Sequence, residues 1–218
     1  MKKTTIKLHE VECGVCGTHS DHYIITDSSS DGAPDLDFRP SYPHRASMKY
    51  WVMECPECGF CSDLLNKRIV CGREYLESEE YNNLGGLKPE NELAAQFIKA
   101  ALVFRQEGQL TDTVKEYLYA AWVCDDDKND EAARSCRMAA IAIMDANPEV
   151  FESDDNTVVL KADMLRRCGE FDRVTSEFNR RLKTLMPNIV REFEIRTARK
   201  LIRRAYRCDE IPGIAMKK

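Results

Sequence analysis

Cys13-Gly14-Val15-Cys16-Gly17 and Cys55-Pro56-Glu57-Cys58-Gly59 repeat one pattern: two cysteines, two residues apart, followed by glycine. A tetrahedral zinc ion takes four thiolates at about 2.3 Å. A Cys-x-x-Cys turn points two sulfurs at one centre. The trailing glycine permits the positive φ that such a turn requires, and Pro56 favours entry into the second turn. Each pair follows a strand candidate. Residues 6–11 alternate in polarity ahead of Cys13, and residues 48–53 lead to Cys55. The expectation is a zinc ribbon of two hairpin-borne knuckles, with Cys13, Cys16, Cys55 and Cys58 as the ligands of one Zn2+ ion. Four thiolates leave no position for water or substrate, so the role expected of the ion is structural. The competing readings are a redox dithiol and a set of simply buried cysteines.

Six of the ten cysteines lie between Cys13 and Cys71. Cys61 forms an overlapping pair with Cys58, but Ser62 follows it where a knuckle has glycine. The pairing of Cys55 with Cys58 is therefore preferred. Cys71-Gly72 is half a knuckle. His9, His19, His22 and His44 are rival ligands, each better read as a surface or core residue. The remaining cysteines, Cys124, Cys136, Cys168 and Cys208, fall in helical pattern, where cysteine acts as a small apolar residue.

Around this motif the chain divides into an expected zinc-binding domain over residues 1–73, an acidic linker over 74–90 and a helical hairpin array over 91–218. The first domain reads as short strands and turns, with a second apolar run at 23–26 and a third strand candidate at 48–53. The linker has room for a short helix at 75–81. Beyond it the apolar period becomes helical. The helices expected are 92–107, ending at Gly108; about 111–124; 130–146, stopping before Asn147-Pro148; 155–167, ending at Gly169; 172–185; and one after Pro187 running to about 207. The fold class expected is α+β, mostly α.

One internal echo supports an array. Gly108 is followed by Leu110 and then Tyr117; Gly169 is followed at the same offsets by Phe171 and Phe178. Paired helices joined through glycine, with small and aromatic residues facing, describe a tetratricopeptide-like hairpin. The hairpin between these two lacks the glycine, and an ordinary bundle with two similar turns is the alternative.

The chain has 218 residues, 43% of them apolar and 32% charged, which suffices for a buried core and a solvated surface. It holds no eighteen-residue apolar stretch, so no membrane span is expected. Its basic first residues meet Glu10 and Glu12 instead of an apolar core, so no secretory signal is expected and the location expected is the cytoplasm. The net charge of −5 gives no global attraction to nucleic acid. Residues 180–207, however, carry ten Lys or Arg against Glu192 and Glu194.

The two knuckles, together with Ala33-Pro-Asp-Leu-Asp-Phe-Arg-Pro40, Tyr50-Trp51-Val-Met-Glu-Cys55 and Ala120-Ala-Trp122-Val-Cys-Asp-Asp126, resemble a mostly bacterial family catalogued as domain of unknown function 2225. The resemblance covers most of the chain. It implies cysteine knuckles followed by tetratricopeptide-like helices, and implies no activity. Gly14 departs from the proline expected in the first knuckle, and Cys61 is an added thiol.

Three functions compete on these residues. The leading one is a non-enzymatic, zinc-stabilised scaffold that takes a protein or peptide on its helical array. The second is nucleic-acid binding through Arg196, Arg199, Lys200, Arg203, Arg204 and Arg207, which share a face if the last helix continues. The third is a thiol redox sensor built on Cys58 and Cys61. Asp35, Asp37 and Arg39 are candidates for a cationic ligand or partner, or for an ion-pair network that pins their own loop. No phosphate-binding glycine loop, nucleophile elbow or His-Glu-x-x-His motif occurs, so no enzyme is expected.

Overall fold

The computed structural model describes residues 4–214; residues 1–3 and 215–218, the outer ends of the two expected domains, lie outside it. The fold is α+β and mostly helical, with a small β region near the N-terminus followed by a helical array. Contacts divide it into two compact units, one of residues 1–29 and 43–140, the other of residues 30–42 and 141–218. The acidic segment 74–90 falls inside the first unit.

In the first unit, strand β1 (Thr5–Glu12) pairs antiparallel with β2 (His19–Asp27), placing Ile6 opposite Ile25 and Leu8 opposite Tyr23. A second, minimal hairpin joins β3 (Met53–Glu54) to β4 (Cys61–Ser62). The third strand expected over 48–53 is shorter than that. Residues His44–Tyr50 coil into a 3-10 turn, in which the Ser47 hydroxyl donates to the His44 carbonyl and accepts from the Trp51 indole. Two short helices, α1 (Gly72–Leu76) and α2 (Glu79–Asn82), occupy the acidic segment.

Helix α3 (Glu92–Gln106) begins at Asn91, whose side chain accepts the amides of Leu93 and Ala94. Its apolar face, from Ala94 through Phe104, is buried. It turns at Gly108 and packs along α4 (Leu110–Asp126), burying Tyr117, Leu118, Ala121 and Trp122. Helix α5 (Asp130–Ala146) follows, and the boundary between the two units falls within it, after Ala140.

The second unit contains α6 (Pro148–Phe151), α7 (Asp155–Arg167), α8 (Phe171–Glu177) and α9 (Leu185–Ala198). Leu36, Val159, Val190, Phe193, Tyr206 and Ile211 form its apolar core.

Four helix ends among the described residues close the same way, with paired amide-to-carbonyl bonds of the Schellman type. Gly108 and Gly169 take the left-handed position after α3 and α7, at φ 70° and 81°. Lys128 takes it after α4 at φ 59°, and Leu201 after α9 at φ 55°. The turn that lacked a glycine is thus of the same kind as the two that have one, with lysine in its place.

Two expected helices are shorter in the structure. Helix α8 stops at Glu177 instead of 185, because side chains take over the backbone of the next residues. The Arg191 Nη1 donates to the carbonyls of Phe178, Asn179 and Arg180. Asn188 clasps the amide and carbonyl of Leu182. Helix α9 starts at Leu185, two residues before Pro187, which the first turn tolerates because its amide needs no helical partner. It ends at Ala198 instead of 207. Arg166, fully buried and paired with Glu194 and Asp163, donates to the carbonyls of Ile202 and Arg204 and holds that stretch out of the helix.

The basic residues expected on one helical face therefore do not share one. Arg196 remains on α9, over the Phe193 ring. Arg203 donates to the Arg167 carbonyl, Arg204 pairs with Glu210 and stacks on Tyr206, and Arg207 pairs with Asp209. Arg199 and Lys200 stay exposed beyond the helix end.

Candidate metal centre

Each Cys-x-x-Cys segment is the turn of a hairpin. Cys13 follows the last residue of β1, and Cys55 follows the last residue of β3. The two turns carry the same hydrogen bonds at the same offsets. The Cys13 amide donates to the Thr18 carbonyl at 2.9 Å, and the Gly17 amide to the Cys13 carbonyl at 2.8 Å. The Cys55 amide donates to the Phe60 carbonyl at 2.9 Å, and the Gly59 amide to the Cys55 carbonyl at 3.0 Å. Gly17 and Gly59 sit at φ 76° and 70°, where a Cβ would be strained.

The turns meet. The four sulfurs lie within 4.8 Å of one another. Across the knuckles, Cys13 Sγ is 3.7 Å from Cys58 Sγ, and Cys16 Sγ is 3.6 Å from Cys55 Sγ. Four sulfurs at about 2.3 Å from a central ion stand about 3.8 Å apart along the edges of a tetrahedron. The group is therefore placed as a four-thiolate metal site requires, and it can hold a metal ion. Among the described residues no other group of histidine, cysteine or acidic side chains is so placed.

The electrostatics set Cys16 apart from Cys13 and Cys58. Burial raises the Cys16 thiol, but its hydrogen bonds with the Thr18 hydroxyl and backbone, then with Cys55 and Cys58, outweigh it and bring the thiol down to about 6. Burial raises Cys13 and Cys58, and the neighbouring thiols add to it. A cation at the centre would override the burial that raises Cys13 and Cys58, since a coordinating thiol loses its proton outright.

The second knuckle is tied to the helices of its own unit. The Tyr81 hydroxyl on α2 donates to the Gly59 carbonyl at 2.7 Å and accepts the Cys61 amide at 3.2 Å. Lys99 and Gln96 on α3 both reach Glu54, at 2.6 and 3.0 Å. The first knuckle is tied to the loop after β4, where the Gly14 amide donates to the Leu65 carbonyl at 2.8 Å. Proline cannot make that bond. A Cβ at position 14 would also lie 2.2 Å from the Lys67 carbonyl oxygen. These two contacts explain the glycine where proline was expected. Tyr81, Glu54 and Gly14 give no local signal as site supports in the sequence, because their partners are 20 or more residues away.

The rival ligands lie elsewhere. Cys61 is fully buried on β4, its thiol pushed well up by burial and then by Glu54. Burial, with Glu107, pushes Cys71 up to about 11. His19 pairs with Glu10, His22 with Ser20, and His44 with Ser28 while stacking on Trp51.

In the second unit, Asp35, Asp37 and Arg39 form a tight turn that pins its own loop. The Asp35 amide donates to the Arg39 carbonyl, and Phe38 takes φ 65°. Asp37, 1% exposed, is ion-paired with Arg167. The turn is stitched to the C-terminal segment by bonds from Leu36 to Tyr206 and from Cys208 to Pro34.

No family model matches the chain, and neither do any curated protein or solved structure.

Proposed function

We propose that Cys13, Cys16, Cys55 and Cys58 hold one structural zinc ion, and that the protein is a non-enzymatic scaffold whose helical array takes a protein or peptide partner in the cytoplasm. The observation that carries this reading is the convergence of four sulfurs from two distant turns at tetrahedral spacing. Zinc suits four thiolates and uses all four positions, which leaves none for a substrate. When bound, the ion contributes folding free energy to a hairpin pair that is otherwise small, on the order of 10 kcal/mol or more for zinc-finger peptides. The Schellman-closed hairpin of α3 and α4 and the similar turns after α4 and α7 support the tetratricopeptide-like part of the reading and accord with the resemblance to domain 2225. No described helix is long and apolar enough to cross a membrane.

The nucleic-acid reading loses its main support, since the basic residues beyond Ala198 are not on one helix. The redox reading is weakened by the burial and raised thiol of Cys61, because the thiolate is the species that reacts. Elemental analysis of purified protein tests the proposal: one zinc per chain is expected, and Cys13→Ser should abolish it with loss of ordered signals from the first hairpin. A fully folded, metal-free wild-type protein contradicts it. Binding to generic RNA at low salt, steeply lost as salt rises, would instead favour the nucleic-acid reading.

A further inference from the structure

Between α6, α7 and the irregular segment 178–184 lies a cavity of about 150 Å³, wholly within the second unit. Its floor is apolar, made by Met144, Phe151 and Phe178, each buried. Its walls are predominantly cationic, from Lys161, Arg180, Arg181, Lys183 and Arg191. The acids among its lining are Glu152, Asp155 and Glu177. Asp155 is occupied by the amide and hydroxyl of Thr184, at 2.7 and 2.8 Å, and Glu177 by Arg173. Lys161 is occupied in turn by Asp145. Arg180, Arg181 and Lys183 have no ion-pair partner among the described residues.

Arg191 supplies the second observation. It is 9% exposed and lines the cavity; its Nη2 meets the exposed Glu192 at 3.4 Å, and its Nε has no hydrogen-bond partner. A buried, unpartnered guanidinium donor is costly unless an acceptor meets it. Its Nη1 fixes the carbonyls of residues 178 to 180, so the same side chain that ends α8 positions the next two cations around the cavity mouth.

We propose that this cavity binds a small anion carried on an apolar body, a carboxylate or phosphate monoester with an aromatic or aliphatic group of about ring size. A cavity of about 150 Å³ accepts one benzene-sized group. Guanidinium groups hold planar carboxylate and phosphate oxygens through paired N–H donors. The proposal is independent of the metal centre.

Phenyl phosphate, benzoate and benzyl alcohol are suitable probes, titrated into the full-length, isotope-labelled protein with amide shifts as the readout. Saturable shifts confined to residues 144–161 and 177–191 are expected for the two anions, with affinity of about millimolar or tighter. Which anion binds tighter separates a phosphate from a carboxylate ligand. Arg181→Gln combined with Lys183→Gln should weaken the anions about tenfold without changing the melting temperature, since both side chains are exposed. Equal binding of benzyl alcohol, unchanged affinity in the double variant, or shifts that never saturate would each overturn the proposal.

Discussion

Gly14→Ala should damage the first unit more than Gly17→Ala, although only Gly17 has a positive φ. At position 17 an added Cβ meets nothing within 4 Å, so the cost is the left-handed backbone alone, about 1–2 kcal/mol. At position 14 the Cβ would stand 2.2 Å from the Lys67 carbonyl oxygen, 2.6 Å from its carbon and 3.0 Å from the Asn66 oxygen. All three are backbone atoms, so no side-chain rotation relieves the overlap. Restoring ordinary contact moves the 65–67 segment by about 1 Å and strains the bond from the Gly14 amide to Leu65, worth about 1 kcal/mol. Leu65 is fully buried, and displacing a packed side chain costs about 1–3 kcal/mol more. The expected loss is about 2–4 kcal/mol. For a chain of this size each kcal/mol shifts the melting temperature by about 2–4 °C. Melting both variants by circular dichroism, zinc-loaded, should place Gly14→Ala several degrees below Gly17→Ala, with faster metal release to a chromophoric chelator. A Gly14→Ala protein that melts with or above Gly17→Ala would refute the steric account.

Tyr81→Phe removes the donor to Gly59 and leaves the Cys61 amide without its acceptor, so a loss of about 1–3 kcal/mol and faster chelator-driven zinc release are expected. Lys128→Gly places a residue without a Cβ at φ 59° and should stabilise the protein by about 0.5–1 kcal/mol in urea melts, whereas the same change at an ordinary helix position would destabilise. Burial, then Asp163, pushes the Glu194 carboxyl up to about 8 against the pull of Arg166. The folded protein therefore holds this proton more tightly than the unfolded chain, whose carboxyl titrates near about 4.3. Its contribution to stability is largest below that value and falls as pH rises to about 8. Glu194→Gln should flatten this decline between pH 5 and 9, and an unchanged slope in denaturant melts would argue against it.

The converging cysteines were legible because each pair is a local pattern: the spacing, the glycine after it and the strand before it lie within a dozen residues. The same holds for α3, α5 and α7. Their apolar periods, the Asn91 and Asp154 caps and the glycines at 108 and 169 act over one or two turns, and the observed bounds follow them closely. Residues 48–50, the start of the strand expected over 48–53, instead close the 3-10 turn at His44–Tyr50; their alternating polarity fits either form, and the Ser47 bonds that settle it are not a periodic signal.

Local chemistry along the chain suffices to specify two cysteine turns and the helices after them, since turn chemistry and helical period are properties of neighbouring residues. Tertiary structure decided where α8 and α9 stop, because Arg191 and Arg166 reach carbonyls 11 to 38 residues away and satisfy them better than another helical turn. It also decided that Gly14 had to remain glycine and that residues 30–42 belong with the C-terminal half. In each case the deciding partner is remote along the chain, and a backbone group, once desolvated, bonds to whatever donor or acceptor the fold brings to it.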